Sequence, residues 1–182
     1  MLRSVLIRSR SLAVLGVAAV VGLGAPALVS CAGDGPDTGE AVVVSLVLDT
    51  ADAPLLVVNE VGADKEHRYG EARLVGRAEL DGQPVEVELL CILNYLRGNG
   101  PFEGFWTFTA ENGDRLAFTY SGRSEQRDGE GILRGEVEVL GGTGQFVNVT
   151  GSGIVDGRRS GEFGSGSAID YTIDLRLEGL PA

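Results

Sequence analysis

The sequence predicts an all-β protein, an antiparallel β-barrel of about eight strands. Apolar and polar residues alternate with a period of two over much of the chain after Ala41. Glycine is abundant, with 28 of 182 residues against 6 prolines, which is typical of a chain with many tight turns. Asp81-Gly82 and Asn112-Gly113 are hairpin signals between alternating stretches. The length of 182 residues leaves no room for a two-domain enzyme with a parallel sheet.

The first 31 residues predict a signal peptide for export. Three arginines and no acidic residue precede an apolar stretch from Ser11 to Leu28, which is the layout of a secretory leader. The tetrapeptide Leu28–Cys31 has the branched residue, small residues and final cysteine of a bacterial lipobox, which makes Cys31 the predicted lipidation site. Two acyl chains would hold the protein stably on the extracytoplasmic face of the membrane. A plain cleaved signal peptide and an uncleaved N-terminal anchor remain the alternatives.

The mature part divides into a tether and a domain. Residues 32–40 are small, polar and acidic, as in a flexible spacer, and residues 41–182 form the predicted barrel. If Cys31 carries lipid, Cys91 has no disulfide partner within the chain. An exported protein with one unpaired thiol is expected to bury it, so Cys91 should point inward.

Strand parity predicts the inward face. On the strand from Pro84 to Leu96, one parity is apolar and contains Cys91 and Tyr95, and the other contains Glu86 and Glu88. Seven or eight such strands are predicted, and they must either stack as two sheets or close into a barrel. Closure is favoured because it removes exposed edges. The predicted strands are 42–48, 71–80, 84–96, 102–110, 116–120, 133–139 and 169–177.

The segment from Leu140 to Gly151, LGGTGQFVNVTG, carries a family resemblance. It resembles the G-G-[TS]-G-x-[FY]-x-x-x-x-G signature shared by allene oxide cyclases, plant dirigent proteins and bacterial allene-oxide-cyclase-barrel-like proteins. The stretches 89–92, 105–108 and 171–179 look like central and closing strands of that family. The resemblance implies a calycin-type barrel over roughly residues 70–179.

The resemblance also implies a function. Family members fold a flexible, apolar, reactive intermediate inside the barrel and template its ring closure, as in [4+2] and related cyclisations of polyketide-like substrates during antibiotic biosynthesis. Holding a near-attack conformer in a dry cavity supplies most of the rate gain. Two alternatives stay open: a non-catalytic lipoprotein that binds an apolar ligand in the same cavity, and a barrel without a cavity that serves as an interaction module.

The candidate site residues combine the resemblance with strand parity. Cys91 falls where plant allene oxide cyclases have an inward cysteine, and Glu60 is the nearest match to their catalytic carboxylate, although Asn59-Glu60 departs from the family's Glu-x-Asn spacing. We expect hydroxyls of inward tyrosines to orient the substrate and inward rings to line the pocket, unless these aromatic residues are simply barrel core. The catalytic candidates are Glu60, Cys91, Tyr95 and Tyr120, and the substrate-binding candidates are Trp106, Phe108, Phe118 and Tyr171.

Charge and composition exclude several other classes of function. The formal net charge of −11 argues against nucleic acid as a partner. The only histidine, His67, lies in a charged run that reads as a solvated loop, so neither a Ser-His-Asp triad nor a zinc site is expected. The Gly-rich segment lacks the lysine of a phosphate loop. We expect no cofactor and no metal, and the sequence leaves open a homo-oligomer.

Overall fold

The structure is a computed structural model that describes residues 39–161 and 166–181. The predicted signal peptide, the lipidation site Cys31 and most of the tether lie outside the described residues. The described part contains nine antiparallel strands and one short 3₁₀ turn at Gly144–Phe146. The strands are β1 Glu40–Asp49, β2 Leu55–Val61, β3 His67–Leu80, β4 Gln83–Leu96, β5 Gly100–Ala110, β6 Arg115–Arg127, β7 Glu130–Gly142, β8 Thr150–Ser160 and β9 Ala168–Glu178.

All nine strands belong to one sheet that curls like a barrel. The order is β1-β9-β8-β7-β6-β5-β4-β3-β2, and each neighbouring pair is antiparallel. From β3 to β9 every strand pairs with its neighbour in the chain, so strands that are consecutive in sequence are adjacent in the sheet. The predicted all-β, barrel-like fold is therefore confirmed.

The strands β1 and β2 both lie against β3. β2 pairs with the first half of β3, between Arg73 and His67. β1 approaches the second half, because a Cβ on Gly76 would come within 2.6 Å of Leu48 Cδ2 and 3.2 Å of the Val47 carbonyl oxygen. No ladder joins β1 to β3 among the described residues. β1 and β2 together therefore occupy the position of one strand beside β3. The nine strands thus fill about eight strand positions, the number that the sequence predicts.

The predicted inward face of β4 is confirmed. Val85, Val87, Leu89, Leu93 and Tyr95 are buried, and the residues of the opposite parity face outward. Cys91 shares their parity, is partly buried and packs against the core. The same alternation runs through β1 and β9, so the interior of the curled sheet is a continuous apolar core.

Glycines on the inward face make room for large side chains on neighbouring strands. A Cβ on Gly122 would lie 2.6 Å from the ring of Phe102, and one on Gly157 would lie 2.8 Å from the ring of Tyr171. Such pairing of large against small fills the interior at native density. It explains much of the glycine content that the turns alone do not require.

The Gly-rich segment after β7 is tied to the β5–β6 hairpin. Gly144 has a φ of +53°, a left-handed conformation that favours glycine, and a Cβ there would clash with the carboxylate of Asp114. Asp114 accepts a hydrogen bond from the backbone N–H of Gln145 at 3.0 Å, and Thr143 Oγ1 accepts one from the N–H of Arg115 at 2.9 Å. These contacts seat Phe146 in the core, where it is buried.

Candidate functional site

One end of the interior is purely apolar. Phe108 and Phe118 pack against each other with ring centroids 5.3 Å apart, and Trp106 meets Phe108 edge to face at 6.4 Å. All three side chains are almost fully buried. The structure therefore places the predicted substrate-binding residues Phe108 and Phe118 in close-packed core, next to the predicted ligand contact Trp106.

The other end of the interior, which we call the polar end, has polar side chains among apolar ones such as Leu74, Leu93 and Phe102. It brings together Cys91, Tyr95, Tyr120 and Tyr171, which are four of the predicted site residues, and adds Arg159. The cavity between them has a volume of about 20 Å³. That volume is close to the minimum for a single water molecule, and small-molecule sites are more than ten times larger.

Burial controls the ionisation of this polar end. It raises the pKa of the Cys91 thiol to about 11, with a small opposing effect of a hydrogen bond to the backbone of Ala72. Burial also raises the pKa of Tyr95, Tyr120 and Tyr171, chiefly because a phenolate would lose its hydration there. All four groups are therefore protonated and neutral at neutral pH, and they act as hydrogen-bond donors.

Two of the buried donors lack an acceptor of good geometry. Trp106 Nε1 has no hydrogen-bond partner, and the Tyr120 hydroxyl interacts with Tyr171 without full hydrogen-bond geometry. Trp106 stacks edge to face on Tyr171 at 5.1 Å and on Tyr120 at 5.6 Å. The aromatic cluster is thus held together by ring contacts, and its polar atoms face inward.

Arg159 is a functional candidate that the sequence analysis misses. It is 1% exposed, and its guanidinium lies over Gly131, where a Cβ would come within 2.6 Å of an Nη atom. It donates long hydrogen bonds to the Gly161 carbonyl oxygen at 3.4 Å and to Gln126 Oε1 at 3.5 Å. Burial lowers the pKa of Arg159. Parity could have revealed it, because Arg159 lies four residues after Val155 on β8 and shares its inward face.

An open cavity, which we call the mouth, adjoins the polar end at Tyr95. It has a volume of about 360 Å³, within the range of small-molecule sites. Tyr95 belongs to both the mouth and the interior cavity. Arg68 lies directly across the ladder from Tyr95 and is half-buried. The mouth is lined by Lys65, Glu66, Arg68, Tyr95, Arg97, Gly98, Gln126 and Gly129.

Glu60 lies on β2 next to Arg68 of the mouth, and away from Cys91. It pairs with Arg68 in the β2–β3 ladder, and its carboxylate forms an exposed ion pair with Lys65 at 3.4 Å. Cys91 pairs with Ala72, which is four residues further along β3. The structure therefore does not bring these two catalytic candidates together.

A second cavity lies on the outer face of the sheet. Leu90, Ile92 and Phe105 are each more than 40% exposed and border a groove of about 610 Å³, together with Leu55. Gly104 also lines it, together with two of the predicted catalytic residues, Cys91 and Tyr120. We call this the outer groove, and it provides a comparison for the mouth.

Other kinds of site find little support in the described residues. No group of three or more His, Cys, Asp or Glu side chains there could hold a metal ion. No helix within the same residues is long and apolar enough to cross a membrane. No family model and no curated protein sequence matches the chain.

Proposed function

We propose that the protein binds a small organic molecule in the mouth, with Tyr95 at the base of the site. The observation that carries this proposal is the contrast in size between the two cavities that Tyr95 lines. The mouth, at about 360 Å³, is large enough for a small molecule, whereas the interior, at about 20 Å³, is not. A ligand therefore rests on the polar end of the barrel and does not fill the lumen.

The chemistry of the polar end supports binding over acid–base catalysis. A general base must be able to lose its proton near the working pH. Cys91 has a pKa of about 11, and the pKa of Tyr95 is raised, so neither group is a base at neutral pH. Their protonated forms are hydrogen-bond donors, and Tyr95, which is 2% exposed, is the one that also lines the mouth.

Templated ring closure, the reaction implied by the family resemblance, needs a substrate folded inside a dry lumen. Trp106, Phe108 and Phe118 occupy that space and are at most 1% exposed. We therefore place ligand binding by an exported, lipid-anchored barrel ahead of catalysis. The anchor rests on the lipobox ending at Cys31.

The experiment compares variants that fill the mouth or the outer groove. Calorimetric titration with a panel of C8 to C10 alcohols, acids and polyenes should give saturable binding to the unmodified protein. Gln126→Phe narrows the mouth and should weaken that binding, whereas the matched variant Ser121→Phe narrows the outer groove and should leave it unchanged. Analysis of the recovered ligand by mass spectrometry and chromatography distinguishes binding from cyclisation.

Three results would overturn the proposal. They are absence of saturable binding to the unmodified protein, loss of binding in Ser121→Phe alone, and recovery of a ring-closed product. The first supports a barrel without a ligand site, the second moves the site to the outer groove, and the third supports a cyclase.

A further inference from the structure

We propose that the outer groove is a second binding site and that it takes an organic cation, an ammonium group carried on an apolar chain. This inference goes beyond the ligand of the mouth, because the groove lies on the outer face of the sheet and shares no lining residue with the mouth. Its evidence is the shape of the groove, its exposed apolar side chains and the charge of its lining.

The register of the sheet gives the outer groove a floor and two walls. Ala72, Cys91, Gly104 and Tyr120 are ladder partners on β3, β4, β5 and β6, and all four line the groove. They have inward parity, so the outer face above their backbone is open and forms the floor. The outward residues on either side of this row form the walls. The volume of about 610 Å³ lies in the range of small-molecule sites.

One wall of the groove is apolar. Leu90 and Phe105 are ladder partners on β4 and β5, and Leu55 continues this wall from β2. All three side chains are well exposed on the outer face. An alkyl chain laid along this wall would remove apolar surface from water, which stabilises binding in proportion to the area covered.

The opposite wall carries charge of one sign. Glu71 and Glu103 flank Ile92 there, because the three residues are ladder partners on β3, β4 and β5. In the part of the chain that the structure describes, neither carboxylate forms an ion pair, and no lysine or arginine lines the groove. The charge of this wall is therefore available to a cationic ligand.

The surroundings of the groove are also acidic. Arg73, which adjoins the apolar wall, is paired with Glu88 at 2.5 Å, and Arg123 lies outward on β6 without lining the groove. A neighbouring cavity shares Thr119 and Ser121 with the groove. The charged residues of that cavity are Glu136, Glu138, Asp174 and Arg176. A concave surface with an excess of one sign of charge attracts a ligand of the opposite sign.

Phe105 and Glu103 face each other across the floor. They lie two positions apart on the same side of β5, with Gly104 between them. A carboxylate binds an ammonium group by charge and hydrogen bonding, and an exposed aromatic ring attracts it by a cation–π interaction. An ammonium group therefore fits this pair while its chain covers the apolar wall. A carboxylate ligand of the same length is repelled, and an alcohol gains only the apolar contact.

The test compares head groups on one chain length. Octylammonium, octyltrimethylammonium, 1-octanol and octanoate are titrated into the isotope-labelled protein at low ionic strength, and amide shifts at Ile92, Glu103 and Phe105 report occupancy of the groove. We expect at least one ammonium probe to bind there about tenfold tighter than octanol, the combined effect of two exposed carboxylates. Octanoate should bind most weakly. Added salt should weaken cation binding, because exposed charges are screened.

Variants then assign the recognition to the acidic wall. Glu71→Gln and Glu103→Gln should each weaken cation binding about threefold, and the double variant about tenfold, with octanol binding unchanged. The matched control Glu79→Gln removes an exposed carboxylate of β3 outside the groove and should have no effect. Ser121→Phe should weaken cation binding and Gln126→Phe should not, the reverse of their expected effects on the ligand of the mouth. Urea unfolding checks that each variant is folded.

Failure of this inference is distinguishable from failure of the proposed function. Equal affinity of the groove for octanol and both ammonium probes, or unchanged cation binding in the double variant, would overturn the inference and leave binding at the mouth in place. Cation-induced shifts centred on Tyr95 and Gln126 would also overturn it. If the double variant does not fold, the comparison of head groups on the unmodified protein still decides.

Discussion

At the level of single residues, Cys91 tests both the inward face and the low polarity of the interior. Its pKa of about 11, against an ordinary value of 9.0, lowers the thiolate fraction about 100-fold at pH 8. In a Cys31→Ala background, where Cys91 is the only thiol, a charged thiol reagent should label the native protein at least that much more slowly than the urea-unfolded protein. Equal rates would place Cys91 outside the core.

The same raised pKa predicts how stability changes with pH. The folded state holds the thiol proton more tightly than the unfolded state, so this contribution to stability is full below about pH 9 and is lost as the pH rises towards 11. Tyr95, Tyr120 and Tyr171 act in the same direction, because their pKa values are also raised. Urea unfolding at pH 8 and pH 10.5 should show the loss, and Cys91→Ala should show a smaller one. An unchanged free energy of unfolding would contradict this account.

Gly157 tests the packing of large side chains over glycines. Gly157→Ala places a Cβ 2.8 Å from the ring of Tyr171, and overpacking of this kind costs about 1–3 kcal/mol. The control Ser152→Ala changes an exposed position on the same strand and should have little effect. Urea unfolding measures both variants, and equal stability of the two would show that the interior is loosely packed.

At the level of secondary-structure elements, the contact between β1 and β3 closes the curled sheet without a ladder. Gly76→Val would force a side chain against Leu48 and should loosen β1 more than the central strand β5. Hydrogen exchange read by mass spectrometry should show faster exchange in Val42–Leu48, with little change in Phe102–Thr109. Uniform acceleration in both segments would show that the sheet opens as one unit.

Strand alternation predicted β4 well because one of its faces packs into the core and the other faces solvent along nearly its whole length. β8 escaped prediction because Gly151, Gly153 and Gly157 break the apolar pattern on its inward face. Gly153 and Gly157 make room there for the side chains of Leu175 and Tyr171. β2 has a continuous apolar start, which does not distinguish a strand from other buried segments. β6 is also longer than the predicted strand 116–120, since it continues to Arg127.

The candidate site was predicted in part for a related reason. Parity correctly turned Tyr95, Tyr120 and Tyr171 inward. The mouth depends on Arg68, Tyr95 and Gln126, which come from three strands and meet only through the register of the sheet. No spacing along the chain reveals that arrangement, and a buried arginine such as Arg159 contradicts the usual pattern of apolar inward positions.

At the level of the whole molecule, the lipobox predicts attachment to a membrane. Cys31→Ala removes the thiol that would carry the lipid, so the variant should move to the soluble fraction and lose incorporation of labelled fatty acid. Cys91→Ala is the matched control and should fractionate as the unmodified protein does. Unchanged fractionation and labelling in Cys31→Ala would contradict lipidation at this residue.

The distribution of charge also concerns the whole molecule. Loss of residues 1–30 would remove Arg3, Arg8 and Arg10 and make the remaining protein three charges more negative. Such a body is repelled by an anionic membrane surface, so a tether would hold the barrel away from it.

Nuclear magnetic resonance can locate a ligand bound at the mouth residue by residue. The isotope-labelled protein is titrated with the ligand of highest affinity in the calorimetric panel, and the shifts of backbone amides are followed. The account predicts saturable shifts that are largest at Arg68, Tyr95, Gly98 and Gln126. Shifts concentrated at Leu90 and Phe105 in the outer groove, or no saturable shift at any residue, would contradict it.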